Sequence, residues 1–65
     1  MKITVNGAPH ETKAHTLDAL LAELDYDGAT IATAVNGEFA PASERAVRQL
    51  APGDTIEVVS PRQGG

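Results

Sequence analysis

Two glycines and a carboxylate end the sequence, and they are its clearest candidates for chemistry. The final six residues, Ser60 to Gly65, read SPRQGG and directly follow the apolar run from Ile56 to Val59. Gly64 and Gly65 lack a Cβ atom, so a chain ending in them can enter a narrow channel and adopt backbone angles that other residues avoid. Six extended residues span about 20 Å, enough to reach into another protein's active site. The tail is therefore either a frayed chain end or a device for presenting its carboxylate.

A carboxylate becomes reactive only after activation, because it is anionic and offers no good leaving group. Joining it to the α-phosphate of ATP would give an acyl-adenylate, which is a strong electrophile. A sulfur nucleophile would then leave a thiocarboxylate on Gly65, whereas an amine would leave an amide bond. The sequence contains no cysteine, so if this chain carries sulfur, its carboxyl terminus is the only place for it.

Other side chains offer little chemistry. His10 and His15 are the only histidines, and no cysteine joins them, so ordinary surface imidazoles are a better interpretation than metal ligands. Two serines and two neighbouring aspartates complete the candidates (Ser43, Ser60, Asp25 and Asp27). Neither serine lies in a G-x-S-x-G motif, and no G-x-x-x-x-G-K-[ST] loop is present. We therefore expect no catalytic residues and no metal site in the chain, which would make it a substrate of enzymes and not an enzyme.

Length and charge narrow the class of protein further. The 65 residues can form one small domain, and the formal net charge is −4. Nucleic-acid binding is disfavoured because it needs clustered cations or stacking aromatic residues, and the sequence has one Tyr, one Phe and no Trp. Neither a signal peptide nor an apolar stretch of about 20 residues is visible. These features predict a cytoplasmic protein that does not bind membranes.

The first third of the sequence predicts a hairpin and then a helix. Met1, Ile3 and Val5 alternate with polar residues, as in a half-buried strand. Asn6-Gly7 is typical of a type I′ turn, and Pro9 in the return strand, residues 8–13, favours a sheet edge. A helix with Thr16 as its N-cap follows, and Gly28 can end it. Its leucines share one face (Leu17, Leu20, Leu21 and Leu24).

The remaining residues predict three more strands. Residues 30–35 alternate, Asn36-Gly37 signals a second hairpin, and a short strand runs from Glu38 to Ala40. A short helical turn is expected within residues 42–50, and the last strand, residues 55–59, is apolar enough to be central. One helix covers only one sheet face, so we predict an α+β fold with a small mixed sheet. Residues 1–59 would form the domain, and residues 60–65 a flexible tail.

The sequence resembles the ThiS family, the sulfur carriers of bacterial thiamine biosynthesis. The resemblance spans the whole chain and rests on MKITVNG, TLDALLAELDY, ATAVNGE, LAPGDTIEVV and the terminal QGG. It implies a ubiquitin-like β-grasp fold whose first and last strands pair in parallel at the sheet centre. It also implies that Gly65 is the modified residue, with Gly64, Gln63 and Arg62 in the channel of a partner enzyme.

The same resemblance implies a set of partners. A ubiquitin-activating-like adenylyltransferase would use MgATP to activate the terminal glycine, so the chain itself would bind no cofactor. A sulfur donor such as a cysteine desulfurase would supply the sulfur, and thiazole synthase would accept it. We expect the chain alone to be a monomer. A carrier for molybdopterin synthesis, a ubiquitin-like modifier of proteins and a plain interaction module remain as alternatives.

The sequence departs from the family's usual residues at three positions that bear on partner docking (Ala42, Arg45 and Arg62). A hydrophobic patch for the adenylyltransferase would then have to come from residues such as Phe39, Val47 and Val59. Packing in the core is nevertheless the role that we expect for these three side chains.

Overall fold

A computed structural model describes residues 1–26 and 30–60 of the chain. Its elements are β1 (Lys2–Val5), β2 (Ala8–Glu11), α1 (Leu17–Glu23), β3 (Ala32–Val35), β4 (Glu38–Ala40), a 3-10 helix (Ala42–Glu44) and β5 (Thr55–Val59). Every predicted element is present, but β2 and β3 are each two residues shorter than expected. Gly28, predicted to end the helix, lies outside the described residues.

The strands form one mixed sheet in the order β2-β1-β5-β3-β4. β5 lies at its centre, antiparallel to β3 and parallel to β1, with Thr4 opposite Thr55 and Val5 opposite Ile56. Strand β2, which contains Pro9, is an edge strand because proline cannot donate to a neighbouring ladder. The central position of the last strand and its parallel pairing with the first are thus confirmed.

Helix α1 packs its leucine face on one side of the sheet. Thr16 caps the helix, its hydroxyl accepting a hydrogen bond from the amide of Ala19 at 3.2 Å. The buried leucines of α1 share the core with inward residues of the strands (Leu17, Leu20, Leu21, Ile3, Val35, Ile56 and Val58). In the described residues, no helix is long and apolar enough to cross a membrane.

Helix α1 ends at Glu23 with Leu24 as its C-cap, and the next residue is Asp25 and not a glycine. Asp25 has a φ of +67°, a left-handed conformation that glycine usually supplies at this position. The amide of Tyr26 donates to the carbonyl of Leu21 at 2.8 Å, and that of Asp25 to the carbonyl of Ala22 at 3.1 Å. These two bonds form a Schellman motif, which satisfies two of the carbonyls left unpaired at the end of the helix.

Both Asn-Gly dipeptides form the turns that the sequence predicts. Asn6 and Gly7 have φ values of +50° and +83°, and Asn36 and Gly37 have values of +53° and +84°. Positive φ at both central residues is the signature of a type I′ turn, whose twist suits a two-residue hairpin. The turns set the registers of β1 with β2 and of β3 with β4.

Candidate functional site: the root of the tail and the open face of the sheet

The tail leaves the domain from the end of the central strand. Val59 is the last residue of β5, and Ser60, which is exposed, is the last residue that the structure describes. The residues predicted to act in a partner's channel lie beyond it, outside the described part of the chain (Arg62, Gln63, Gly64 and Gly65). The structure therefore describes the strand that precedes these residues and not the residues themselves.

Hydrogen bonds from both sides hold β5 in place. On one side its residues pair with β3 from Ala32 opposite Val59 to Val35 opposite Ile56. On the other side the amide of Asn6 donates to the carbonyl of Ile56 at 2.9 Å. Because β5 has neighbours on both sides and buries Ile56 completely, the root of the tail has a fixed place in the fold.

Side chains of the Asn-Gly turns also bind the backbone of β5. The side-chain oxygen of Asn6 accepts a hydrogen bond from the amide of Val58 at 2.8 Å. That of Asn36 accepts one from the amide of Thr55 at 2.9 Å, and its nitrogen donates to Asp54 at 3.0 Å. Sequence reasoning identified both asparagines as turn residues only. Their bonds to β5 were missed because the partner strand lies far along the chain.

One face of the sheet is not covered by the helix. Along β5, Ile56 and Val58 are buried, whereas Thr55, Glu57 and Val59 are exposed. The exposed side of β5 continues across β3 and β4 as a shallow groove, and we call its main residues the open face (Ala32, Ala34, Phe39, Glu57 and Val59). Strand register places Ala34 opposite both Phe39 and Glu57. The open face is thus a flat floor of small residues bordered by two larger apolar side chains and one carboxylate.

The expectation that Phe39, Val47 and Val59 pack in the core is wrong. Their exposed fractions are 69%, 72% and 60%, respectively. Phe39 and Val59 point away from the helix because their neighbours Ala40 and Val58 already occupy the inward positions of the same strands.

Val47 belongs to a different surface. It lies in the connection between the 3-10 helix and β5, and it does not line the groove. Two backbone amides at the start of α1 donate hydrogen bonds to this connection. The amide of Asp18 donates to the carbonyl of Arg45 at 2.9 Å, and the amide of Leu17 donates to the carbonyl of Arg48 at 3.0 Å. Val47 is therefore an exposed apolar side chain outside the groove, in a connection whose backbone is bonded to the start of α1.

Arg45 joins the connection between the 3-10 helix and β5 to β3 through two hydrogen bonds. Its Nε donates to the hydroxyl of Thr33 at 3.3 Å, and its Nη2 donates to the carbonyl of Ile31 at 2.9 Å. Thr33 is 2% exposed and donates its own hydroxyl hydrogen to the carbonyl of Ala40 at 2.7 Å. Arg45 thus has a structural role in joining β3 to the 3-10 segment.

The histidines are not brought together. His10 Nε2 donates to a carboxylate oxygen of Glu23 at 2.9 Å, and Thr12 donates to the other oxygen at 2.8 Å. These bonds join the end of β2 to the helix, and the one from His10 is the main cause of a lowered pKa of Glu23. His15 is exposed. Across residues 1–26 and 30–60, no three His, Cys, Asp or Glu side chains are grouped as metal ligands.

The remaining candidates that the structure describes lie on separate elements. Ser43 is exposed on the 3-10 helix, and Ser60 is exposed after β5. Asp25 is exposed at the end of the helix, and Asp27 lies outside the described residues. Ser43, Ser60 and Asp25 therefore form no hydrogen bond or ion pair with a histidine among the described residues, and attention turns to the tail and the strand that precedes it.

A mixed sheet of this order, packed against one helix and with the last strand at its centre, defines a small ubiquitin-like β-grasp protein. The model of the ThiS family matches residues 3–65. The chain belongs to this family. Membership supports a role as a small sulfur carrier in thiamine biosynthesis.

Solved structures agree with this assignment. The crystal structure of the thiamine biosynthesis protein ThiS from Geobacter metallireducens is 26% identical, with a TM-score of 0.84 over 100% of both chains. The solution structure of a thiamine biosynthesis protein from the same organism is 25% identical, with a TM-score of 0.81, over 100% of this chain and 88% of the other. A comparison with curated protein sequences gave no match.

Proposed function

We propose that this protein carries sulfur as a thiocarboxylate on Gly65 and donates it for formation of the thiazole ring of thiamine. The observation that supports this most directly is the position of the tail's root. Val59 ends the central strand, and the residues after it continue the chain from the centre of the sheet, so the domain can serve as a handle for the glycyl terminus. Membership of the ThiS family supports thiamine biosynthesis as the pathway in which the sulfur is used.

The chemistry requires two displacement steps at the Gly65 carboxyl group. In the first, a carboxylate oxygen attacks the α-phosphorus of MgATP held by an adenylyltransferase, and pyrophosphate leaves. In the second, hydrosulfide bonds to the carbonyl carbon, and AMP leaves with the oxygen that it shared. If a persulfide of the donor attacks in place of hydrosulfide, a thiol must then reduce the resulting acyl disulfide to release the thiocarboxylate. The net change in the protein is the replacement of one oxygen by one sulfur.

The residues of the tail make the carboxyl group of Gly65 accessible to the enzymes that carry out these steps. Gly65 presents a carbonyl carbon with no side chain beside it, and Gly64 allows close approach of the channel walls. Gln63 and Arg62 would lie further out in the channel, where amide and guanidinium groups can bind partner carbonyls and carboxylates. The chain would bind no cofactor of its own, since MgATP belongs to the adenylyltransferase.

Three partners follow from this chemistry. They are the adenylyltransferase, a sulfur donor such as a cysteine desulfurase, and the thiazole synthase that accepts the sulfur. ATP and reduced sulfur are both available in the cytoplasm, which is where we place the protein.

Intact-mass spectrometry tests the proposal. The purified protein is incubated with the adenylyltransferase of its own organism, MgATP and a sulfur donor. We expect a mass increase equal to the exchange of one oxygen for one sulfur, and no increase when ATP is omitted. Deletion of Gly65 should abolish the increase, whereas Ser60→Ala, at the exposed root of the tail, should retain it.

Two measurements in cells distinguish the alternatives. A ubiquitin-like modifier would appear in cells as conjugates of higher mass, joined through an amide bond. A molybdopterin carrier would be loaded equally well but would fail to restore thiamine-independent growth to a strain that lacks its own carrier. Thiamine-independent growth of a strain whose sole carrier lacks Gly65 would contradict the proposal.

A further inference from the structure

Strand β5 extends beyond the end of its parallel neighbour β1. β1 ends at Val5, opposite Ile56, whereas β5 continues to Val59. On its other side β5 stays paired with β3 as far as Val59, which lies opposite Ala32. In the part of the chain that the structure describes, the end of β5 therefore has a neighbouring strand on one side only.

The side chain of Asn6 continues the hydrogen-bonding pattern where β1 has ended. The amide of Thr4 donates to the carbonyl of Asp54 at 2.9 Å. Two residues further along both strands, the amide of Asn6 donates to the carbonyl of Ile56, also at 2.9 Å. Because the bonds of a parallel ladder are evenly spaced, the next one would join the amide of Val58 to the backbone carbonyl of residue 6. The chain turns at Asn6, however, and the acceptor is its side-chain oxygen, at 2.8 Å.

This bond lies close to the root of the tail. Val58 is two residues before Ser60, and within residues 1–26 and 30–60 its amide makes the last hydrogen bond of β5 on the side of β1. Without that bond, the backbone from Val58 to Ser60 would be held by β3 and by the buried side chain of Val58. No group on the other side would then set the direction in which the chain leaves the sheet.

A small change in direction at the root becomes a large displacement at the carboxyl group. Five residues follow Ser60 in the sequence, and five extended residues span about 18 Å. A tilt of about 10° at the root would therefore move the end of an extended tail by about 3 Å. A displacement of about 1 Å can slow a reaction by about 100-fold, because fewer bound molecules have their reacting atoms in contact.

We infer that Asn6 is a positioning residue for the reaction at Gly65, because its side chain fixes the direction in which the chain leaves β5. Asn6 acts through Val58 and touches no reacting atom. The inference rests on the proposed function and deepens it, since it gives the domain a part in placing the carboxylate against the α-phosphate of ATP. Asn36 is the matched comparison. It has the same place in the other Asn-Gly turn but binds Thr55, at the opposite end of β5.

Exchange of labelled pyrophosphate into ATP measures the first step without a sulfur donor. The carboxylate attacks the α-phosphorus of ATP and releases pyrophosphate, and the reverse reaction returns the label to ATP. The adenylyltransferase of the same organism receives saturating MgATP and increasing concentrations of the carrier, which gives kcat and KM for the carrier. The variants are Asn6→Gly and Asn36→Gly, because glycine keeps the positive φ and removes only the side-chain bonds.

We expect Asn6→Gly to lower kcat by about 10-fold with little change in KM, since the carrier still binds but its carboxylate is less often in place. A loss of folded protein alone would instead raise the apparent KM and leave kcat at saturation unchanged. Asn36→Gly loses bonds to both Thr55 and Asp54, yet its kcat should stay within about 2-fold of wild type. Asn6→Asp retains an acceptor oxygen and should restore most of kcat.

Three results would overturn the inference. They are a wild-type kcat for Asn6→Gly, an equal fall in kcat for Asn36→Gly, and an Asn6→Asp variant as slow as Asn6→Gly. Hydrogen exchange gives a second test, because the amide of Val58 should exchange faster in Asn6→Gly, and unchanged protection of this amide would also overturn the inference. If the wild-type carrier supports no exchange of pyrophosphate, the proposed function fails and the inference with it. Normal exchange by the wild type with an unchanged kcat for Asn6→Gly contradicts the inference alone.

Discussion

The side-chain oxygen of Asn6 accepts a hydrogen bond from the backbone amide of Val58, 52 residues further along the chain. Asn6 belongs to the first hairpin turn and has a φ of +50°, and Val58 belongs to the strand that leads to the tail. One asparagine therefore closes a turn and also holds the central strand. Its two roles can be separated by substitution.

We expect Asn6→Ala to lower the free energy of unfolding by about 2–3 kcal/mol, because alanine loses the hydrogen bond and also resists positive φ. Asn6→Gly loses only the bond and should cost about 1 kcal/mol. Asn6→Asp keeps an acceptor and should cost least. Urea denaturation measures all three. Equal costs for the alanine and glycine variants would show that the backbone conformation of Asn6 contributes nothing.

The position of Asp25 predicts a stabilising substitution. Its φ of +67° suits glycine better than aspartate, and its negative charge lies at the negative end of the helix dipole. We expect Asp25→Gly to raise the free energy of unfolding by about 1 kcal/mol. Thermal denaturation followed by circular dichroism measures the change.

Asp18→Gly is the matched control for this substitution. Asp18 lies in the first turn of α1, where the backbone is helical and a negative charge is favourable. The same replacement should therefore lower stability there, by about 1 kcal/mol. A stabilising effect at both positions would rule out the conformational explanation.

The link between β2 and the helix predicts a dependence of stability on pH. Hydrogen bonds from His10 and Thr12 lower the pKa of Glu23 from its usual value of 4.5. A carboxyl group whose pKa is lower in the folded state stabilises the protein above its unfolded pKa, and this contribution is lost as the pH falls through the folded pKa. Glu23→Gln should therefore destabilise the protein at pH 7, and the difference from wild type should shrink as the pH falls below about 4.5.

Urea denaturation at a series of pH values measures this difference. Glu44→Gln, which removes a carboxylate on the exposed 3-10 helix outside the network, is the control and should have little effect at any pH. A difference for Glu23→Gln that stays constant down to pH 3, in contrast, would show that its ionisation is not linked to folding.

Transfer of sulfur to Gly65 and stability of the fold should depend on different residues. Leu21 is 4% exposed in the core, so Leu21→Ala should cost about 2–5 kcal/mol of stability through the cavity that it leaves. Deletion of Gly65 should leave the melting temperature nearly unchanged and abolish the mass increase. Leu21→Ala, measured at a temperature where circular dichroism shows it folded, should still be loaded. Failure of the folded variant would indicate that the core contributes directly to recognition by the adenylyltransferase.

Local sequence patterns predicted most of the fold, because each pattern depends only on the helix, strand or turn in which its residues lie. The leucines of α1 share one face, and the Asn-Gly dipeptides suit only one kind of hairpin turn. Contacts between distant elements, such as Asn6 with Val58 or His10 with Glu23, have no such pattern, since they depend on strand order and register. These contacts required the structure.

The exposure of Phe39 and Val59 could have been predicted. One helix covers one face of a sheet, and Ala40 and Val58 supply the apolar positions that face it. Alternation then places Phe39 and Val59 on the other side. The prediction that they lie in the core relied on their apolar side chains and neglected the fact that a single helix leaves one face of the sheet uncovered. The tail residues, from Arg62 to Gly65, were assigned from the sequence, and their roles stay predictions.

The place of β5 in the sheet also has a mechanical consequence. Under the proposed function, an enzyme that holds the glycyl terminus would apply tension to the domain through the end of its central strand. The ladders to β1 and β3 flank this strand, and their hydrogen bonds run across it. Such tension would act on both ladders at once as shear, and their hydrogen bonds would not open one at a time, so a central strand would resist this pull better than an edge strand.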